Sequence, residues 1–389
     1  MNKIGLILLL AIVYGCSLSK QNVTIEIETI PVAVNDMLAN ASSFIGKIEI
    51  IPLETNDSSL TQIGKKVIYN REMDMYALYT RDQIVFTFTG DGRFIANSKN
   101  MQGQGPQEYN MALDIKFNPD LKGVDLLDPY GLIYTYSPSF NLISKKKVKS
   151  EFVLNKFMAL SPTYYVFTYP TLWAGEEVLF VNMDTKVTKN VRYSGTISLN
   201  SMDRECFHKV GNNFYFIPPG INYYFYRVDE QEMKLTPIMY LDFGDAEIKD
   251  EDLPGRAIEE RVDSDKERKK LADEVDKRWN AVRESDYIYP LIKFFNDDYV
   301  YVYLVQGDKR PGNTFIFNRK SKESFLTKDK KPIMFPPCFA MVDNVLLSIC
   351  EPEEVPVSVD TSLMSLENID KMKQLKEDDN PVILKYYLK

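Results

Sequence analysis

Ile84-Val85-Phe86-Thr87-Phe88-Thr89-Gly90-Asp91-Gly92-Arg93-Phe94-Ile95 reads as a strand, a tight turn and a second strand. Aromatic and β-branched side chains pack well on a pleated surface, and Gly-Asp-Gly supplies the backbone freedom that a sharp reversal demands. The unit recurs. Leu132–Tyr136 turns at Ser137–Phe140 into Asn141-Leu142-Ile143, and Glu177–Val181 turns at Asn182–Thr185 toward Val187–Val191. Tyr223–Val228 turns at Asp229-Glu230, and Thr314–Phe317 turns at Asn318–Lys322 into Ser324-Phe325-Leu326.

The spacing of the closing aromatics turns this recurrence into an architecture. Phe88 to Tyr136 is 48 residues, Tyr136 to Phe180 is 44, Phe180 to Tyr226 is 46, and Tyr226 to Phe317 is 91, one repeat plus an insertion. A period in the forties with about four strands per unit marks a propeller blade, which buries its faces only against its neighbours. Upstream pairs complete the blades: Lys66–Tyr69 with Met75–Tyr79, Asp114–Phe117 with Gly123–Leu127, Phe207–Val210 with Phe214–Ile217, and Leu291–Phe295 with Tyr299–Leu304. The ends supply a sixth blade, with two strands from Phe339–Ile349, a third from Val382–Tyr387, and a fourth from the N-terminal Ile48–Leu53. The reading is an all-β, six-bladed β-propeller of four-stranded antiparallel blades. A two-domain β-sandwich is the alternative, but it would not require the regular spacing.

Two helices interrupt the strands. Between residues 246 and 285, Leu271, Val275, Arg278, Trp279 and Val282 fall on one face at helical spacing. Pro254, after Asp250-Glu251-Asp252, suits the first turn of that helix. It is expected to pack on a propeller face, with a lid over the channel as the functional version. Ser362–Lys376 is a shorter amphipathic helix before the final strand.

The N-terminus carries an export signal over residues 1–15: Lys3, then the apolar run Ile4–Val13, ending Val13-Tyr14-Gly15-Cys16. The run is shorter than the about 20 apolar residues of a spanning helix. A small residue before cysteine resembles the lipobox of bacterial lipoproteins, which makes Cys16 the lipidated first residue of the mature chain. Ser17 stands where an aspartate would resemble an inner-membrane retention signal, which favours the outer membrane, on its periplasmic or surface face. Residues 16–43 are read as a tether and 44–389 as the propeller, with Val23–Ile30 alternating in a way that suits a sheet edge.

Ile50-Ile51-Pro52-Leu53-Glu54-Thr55, Leu60 and Ile63-Gly64, followed by Gly103-Gln104-Gly105-Pro106-Gln107-Glu108-Tyr109 and the closing Asn380-Pro381-Val382-Ile383-Leu384, resemble the six-bladed propeller lipoproteins of Gram-negative gut anaerobes. That family is similar to NHL-type propellers. The resemblance covers about Ile48 to Lys389 and implies glycan-related or surface-binding roles.

Composition narrows the chemistry. Formal charge is −8 with Lys and Arg scattered, so nucleic acid is not an expected partner. His208 is the single histidine, which removes paired-histidine zinc motifs; it reads as a satisfied structural residue. No Gly-x-Ser-x-Gly elbow supports a Ser-His-Asp triad. Cys206, Cys338 and Cys350 remain after Cys16, an odd number that leaves at least one thiol unpaired. A two-residue turn at Asp343-Asn344 sets Cys338 opposite Ile349, one residue out of register with Cys350. Whether that pair is bonded stays open, with buried free thiols as the default.

No catalytic set is expected. The ligand-contact candidates are Gln104, Glu108 and Tyr109 on a glycine-rich loop, and Trp173 for stacking on a sugar. The preferred reading is a non-catalytic envelope protein that binds a glycan or protein partner. The alternative is a lyase, lactonase or glycosidase using channel carboxylates. No cofactor is expected, with calcium on channel acids as the alternative, since no loop has EF-hand spacing.

Overall fold

A computed structural model describes residues 27–34, 41–170, 176–193, 195–197, 205–255, 264–327 and 335–389. Cys16, the signal segment and Trp173 lie outside them. Six sheets form the ring. Blade 1 is β3 (Lys66–Asn70), β4 (Met75–Tyr79), β5 (Val85–Thr89) and β6 (Phe94–Asn97). Blade 2 is β7 (Asp114–Asn118), β8 (Gly123–Leu127), β9 (Leu132–Tyr136) and β10 (Leu142–Lys147). Blade 3 is β11 (Phe157–Ala159), β12 (Tyr164–Thr168), β13 (Glu177–Asn182) and β14 (Thr188–Arg192), and blade 4 is β15 (Phe207–Val210), β16 (Asn213–Phe216), β17 (Tyr224–Asp229) and β18 (Lys234–Asp242). Blade 5 is β19 (Ile288–Phe295), β20 (Tyr299–Gln306), β21 (Lys309–Asn318) and β22 (Ser324–Thr327).

The ring closes as its ends require. In blade 6, β23 (Cys338–Val342), β24 (Val345–Cys350) and β25 (Val382–Leu388) come from the C-terminus, and β2 (Ile45–Pro52) pairs antiparallel with β25 from the N-terminus. A side chain caps the free edge of β2: Asn368 Oδ1 accepts from Ile50 N at 2.9 Å. Asn368 belongs to the helix Leu366–Gln374, which Ser365 caps by accepting from Asn368 N. An edge strand covered in this way offers little backbone to a second chain.

The hydrophobic core lies between blades, not within one centre. Tyr79, Tyr109, Ile115 and Tyr136 pack between blades 1 and 2, Leu127, Phe157 and Phe167 between blades 2 and 3, and Phe180, Phe207 and Phe216 between blades 3 and 4. Leu78, Phe88, Leu347 and Ile383 join blade 1 to blade 6. Each blade therefore depends on both neighbours, which is why an open ring would expose two apolar faces.

Several expectations need correction, though the sheet-edge expectation for Val23–Ile30 is met where it is described: β1 (Glu28–Pro31) is a fifth strand of the fourth sheet, parallel to β18 on its outer edge. Glu28 also pairs with Arg319 of blade 5 at 2.5 Å, so this part of the expected tether is docked to the propeller. The insertion helix starts at Asp265, not near Pro254: Ser264 is its N-cap and accepts from Glu267 N, while Asp250–Asp252 forms a 3-10 turn. Capping chemistry outweighs the proline: the Ser264 hydroxyl accepts from Glu267 N, satisfying one free donor of the helix start, and donates to the Glu267 carboxylate at 2.9 Å. Its apolar face is as read, with Leu271, Arg278 and Val282 buried. The Arg278 guanidinium donates to the Ile197 carbonyl at 2.9 Å and pairs with Asp250.

Cys206, Cys338 and Cys350 are buried free thiols. The turn at Asp343-Asn344 is tight, with Val342 opposite Val345, but a bulge between Cys338 and Ala340 sets Cys338 opposite Ser348. That extra residue in β23 moves the two cysteines further out of register. Burial pushes both the Cys338 and Cys350 thiols up to about 12.

Candidate functional site

The inner strands β3, β7, β11, β15, β19 and β23 line the central channel, each with one edge unpaired by its own blade. Charged side chains fill that gap. Lys66 and Asp114 are the first residues of β3 and β7, Lys156 immediately precedes β11, and Glu205 stands two residues before β15. Four consecutive blades thus present a charge at the same place.

These groups form one network across the channel. Asp114 Oδ1 accepts from Lys66 at 2.6 Å and lies 3.6 Å from the Lys156 ammonium, while Asp114 Oδ2 accepts from Phe157 N at 3.3 Å. Glu205 Oε2 lies 2.8 Å from Lys66, and Oε1 accepts from Lys116 of β7 at 2.5 Å. The same oxygen accepts from the Cys206 and Phe207 amides at 3.1 Å each. Lys116 reaches from blade 2 to blade 4, so the network bridges the ring as well as following it. Asp114 is fully buried, and the Lys66 and Lys156 side chains are 6% and 4% exposed.

Burial opposes charge, yet the lysines win at Glu205: Lys116 and Lys66 hold its carboxyl well below the ordinary range. Lys66 is held above its usual value by Asp114 and Glu205 although burial pulls it down. Both carboxylates are thereby committed to lysines and backbone amides. Neither is a free general acid or base. Among the described residues, no group of three or more His, Cys, Asp or Glu is placed to hold a metal ion.

A cavity of about 190 Å³ lies beside the network, lined by Gly64, Lys65 and Lys66, Glu205, Ile217–Pro219, Leu291–Phe294, Pro337–Phe339 and Ile349. One water needs roughly 15 Å³ on such a measure, so the space suits a small molecule. Gly64 is required there, because a Cβ would strike the Tyr79 backbone carbonyl. Lys293, in mid-β19, is 5% exposed and points its ammonium at the carbonyls of Pro218, at 3.3 Å, and Asn222.

His208 is a structural residue that is only half satisfied: its ring hydrogen-bonds to the Glu205 backbone, while its Nε2 is buried without a hydrogen-bond partner. Its ring meets Phe294 edge-on at 5.2 Å, and burial lowers its pKa to about 4, so it stays neutral. Cys206, two residues earlier, packs in the blade 3–4 core.

The loop candidates have other surroundings. Tyr109 is fully buried, its hydroxyl bonded to Ser98 and donating to the Gln83 carbonyl. Glu108 folds under its own loop to accept from Gly105 N at 2.9 Å, and a side chain at Gly103 would collide with that carboxylate. Gln104 is exposed. None of the three lines the cavity. Sequence reading missed Lys66, Asp114, Lys116, Lys156, Glu205 and Lys293 because each is a single charge beside an apolar strand. The available signal was positional: Lys66, Asp114, Lys156 and Glu205 follow one another at roughly the repeat spacing.

Known structures share this architecture. An exported protein from Bacteroides fragilis NCTC 9343, so described, superposes with a TM-score of 0.64 at 13% identity, covering 94% of this chain and 100% of that one. A DUF4221-family protein from Bacteroides vulgatus ATCC 8482 gives 0.50 at 8% identity, covering 89% of this chain and 97% of that one. At such identities the likeness is one of fold. No curated protein matches the sequence. Residues 27–387 match the model of the family described as "Domain of unknown function (DUF4934)", and the chain belongs to that family.

Proposed function

We propose that this protein is a lipid-anchored scaffold of the cell envelope whose propeller binds a small ligand at the channel without transforming it. The observation that carries the reading is the cavity beside a charge network whose two carboxylates are already saturated by three lysines. A recognition surface with fixed charges is pre-organised for binding, whereas acid–base chemistry needs a group free to exchange its proton. A glycan component or an envelope protein remains the proposed natural source of the ligand, in keeping with the resemblance to lipoprotein propellers of gut anaerobes. The exported character of the Bacteroides fragilis relative agrees with an envelope location.

The site reading is tested by obstruction and recovery. Ile292 lines the cavity and is half-buried, so Ile292→Trp is expected to lose a ligand that the wild-type protein retains in native mass spectrometry. The ligand released from the wild type is expected to be chemically unchanged. Equal retention by the variant would move the site elsewhere, and a converted ligand would make the protein an enzyme.

The anchor is tested separately. A diacylated cysteine partitions firmly into lipid, at about 0.8 kcal/mol per buried methylene. Wild-type protein is expected in the detergent phase after Triton X-114 separation, and Cys16→Ser in the aqueous phase with an unchanged β-sheet circular dichroism spectrum. A wild-type protein found in the aqueous phase would remove the lipid from the reading.

A further inference from the structure

Among the described residues, the channel holds more ammonium groups than carboxylates. Lys66, Lys116 and Lys156 share Asp114 and Glu205. Lys293 makes no ion pair among the described residues and rests on two backbone carbonyls. Four ammonium groups among the described residues therefore face two carboxylates in a buried setting, where an uncompensated charge is costly. An ammonium has three N–H donors. The Pro218 and Asn222 carbonyls take two of those on Lys293, and the residue lines the cavity with Lys65 and Lys66.

Resting on the binding reading above, we infer that the cavity is a receptor for a small organic anion, with Lys293 donating its third N–H to the ligand's oxyanion and supplying the countercharge. The apolar lining from Ile217, Leu291 and Phe339 would meet the ligand's carbon frame. Charge supports this assignment over a cation, because both acids of the network are already shared by lysines.

The empty and filled sites differ in proton count. Burial alone lowers Lys293 to about 7, and a bound anion restores the charged form, so binding takes up a proton as pH rises past that value. Five other titratable residues face this region, Lys65 among them. Glu205 stays ionised, Lys66 stays charged, His208 stays neutral above about 4, and the Cys338 thiol titrates at about 12. Lys116, on the far side of Glu205, is lowered by burial but paired. Lys293, near 7, has its midpoint inside the pH 6 to 8.5 window.

The test uses the full-length protein in detergent with matched probes: glucuronate against glucose, and citrate against glycerol, by isothermal calorimetry. Glucuronate or citrate is expected to bind, its neutral partner not, with affinity falling roughly 30-fold from pH 6 to pH 8.5 for a lysine near 7. Lys293→Gln keeps amide donors for the Pro218 and Asn222 carbonyls but removes the charge. It is expected to retain the wild-type circular dichroism spectrum and to lose both the binding and its pH dependence. Neutral and anionic probes binding alike would overturn the anion assignment while leaving a binding cavity. Anion binding unchanged in Lys293→Gln, or independent of pH, would overturn the role of Lys293. If no probe binds at either pH, the cavity reading itself fails.

Discussion

Asp114→Asn is expected to lower the unfolding free energy by about 3–5 kcal/mol, the usual cost of removing one member of a buried ion pair. Asp114 is fully buried and holds Lys66, Lys156 and the Phe157 amide. The asparagine keeps the shape and part of the hydrogen bonding, so the loss reports the two lysine charges left without their partner. Urea unfolding measures it, with Glu72→Gln as an exposed control expected within about 0.5 kcal/mol of wild type. A loss below about 1 kcal/mol would show that the network contributes little to the ring. Lys66→Met added to Asp114→Asn should recover part of the loss, because it removes one of the stranded charges.

The same network sets a pH window. Glu205 has a folded pKa well below its unfolded one, so its contribution is complete above the unfolded value and is lost as pH falls through the folded one. Lys66 is shifted upward, so its contribution is present below the unfolded lysine value of about 10.4 and declines as pH rises through the folded one. Stability from this source is therefore greatest between roughly pH 5 and 10.

Asn380→Ala is expected to destabilise by about 2–4 kcal/mol, through a different mechanism. Asn380 is fully buried. Its Oδ1 accepts from Thr61 N at 2.8 Å, and its Nδ2 donates to the carbonyls of Glu54 at 2.6 Å and Ser59 at 2.9 Å. Its own amide donates to Thr55 Oγ1 at 2.8 Å. Truncation strands the Thr61 N–H and the Ser59 carbonyl, each costing about 1–3 kcal/mol when buried, with the total less than additive, while the Glu54 carbonyl keeps its bond from Ser59 Oγ at 2.6 Å. Asn380→Asp keeps the acceptor and should fall between wild type and alanine. If alanine is tolerated within about 1 kcal/mol, closure rests on β2–β25 pairing alone.

Asn380 also explains why two distant motifs accompany each other. Glu54-Thr55 and Asn380-Pro381 stand at opposite ends of the sequence, yet Leu53 N donates to the Pro381 carbonyl at 3.2 Å beside the Asn380 bonds. Both segments build the junction at which the ring is fastened. The glycine-rich loop has an equally local cause, since Gly103 and Gly105 make room for the Glu108 carboxylate. Its residues looked exposed in the sequence because glycine and polar side chains are common at surfaces. Glu108 turns inward to Gly105 N of its own loop, whereas the burial of Tyr109 comes from packing between blades 1 and 2.

Sequence alone determined the blade count and the closing partner of β25, because strand alternation and turn chemistry are local and the period repeats them, but it left β11, β12 and β18 unread. It also determined the buried face of the insertion helix, since helical spacing sets which residues share a side. The start of that helix escaped because Ser264 and Pro254 offer competing signals, and the Asp343-Asn344 turn could not reveal the bulge above it. Only the tertiary structure decided the channel. Lys66, Asp114, Lys156 and Glu205 belong to four blades, and Lys293 to a fifth, so no window of sequence brings them together. Ring closure does so, placing the unpaired edges of the inner strands around one axis where buried charges must find each other.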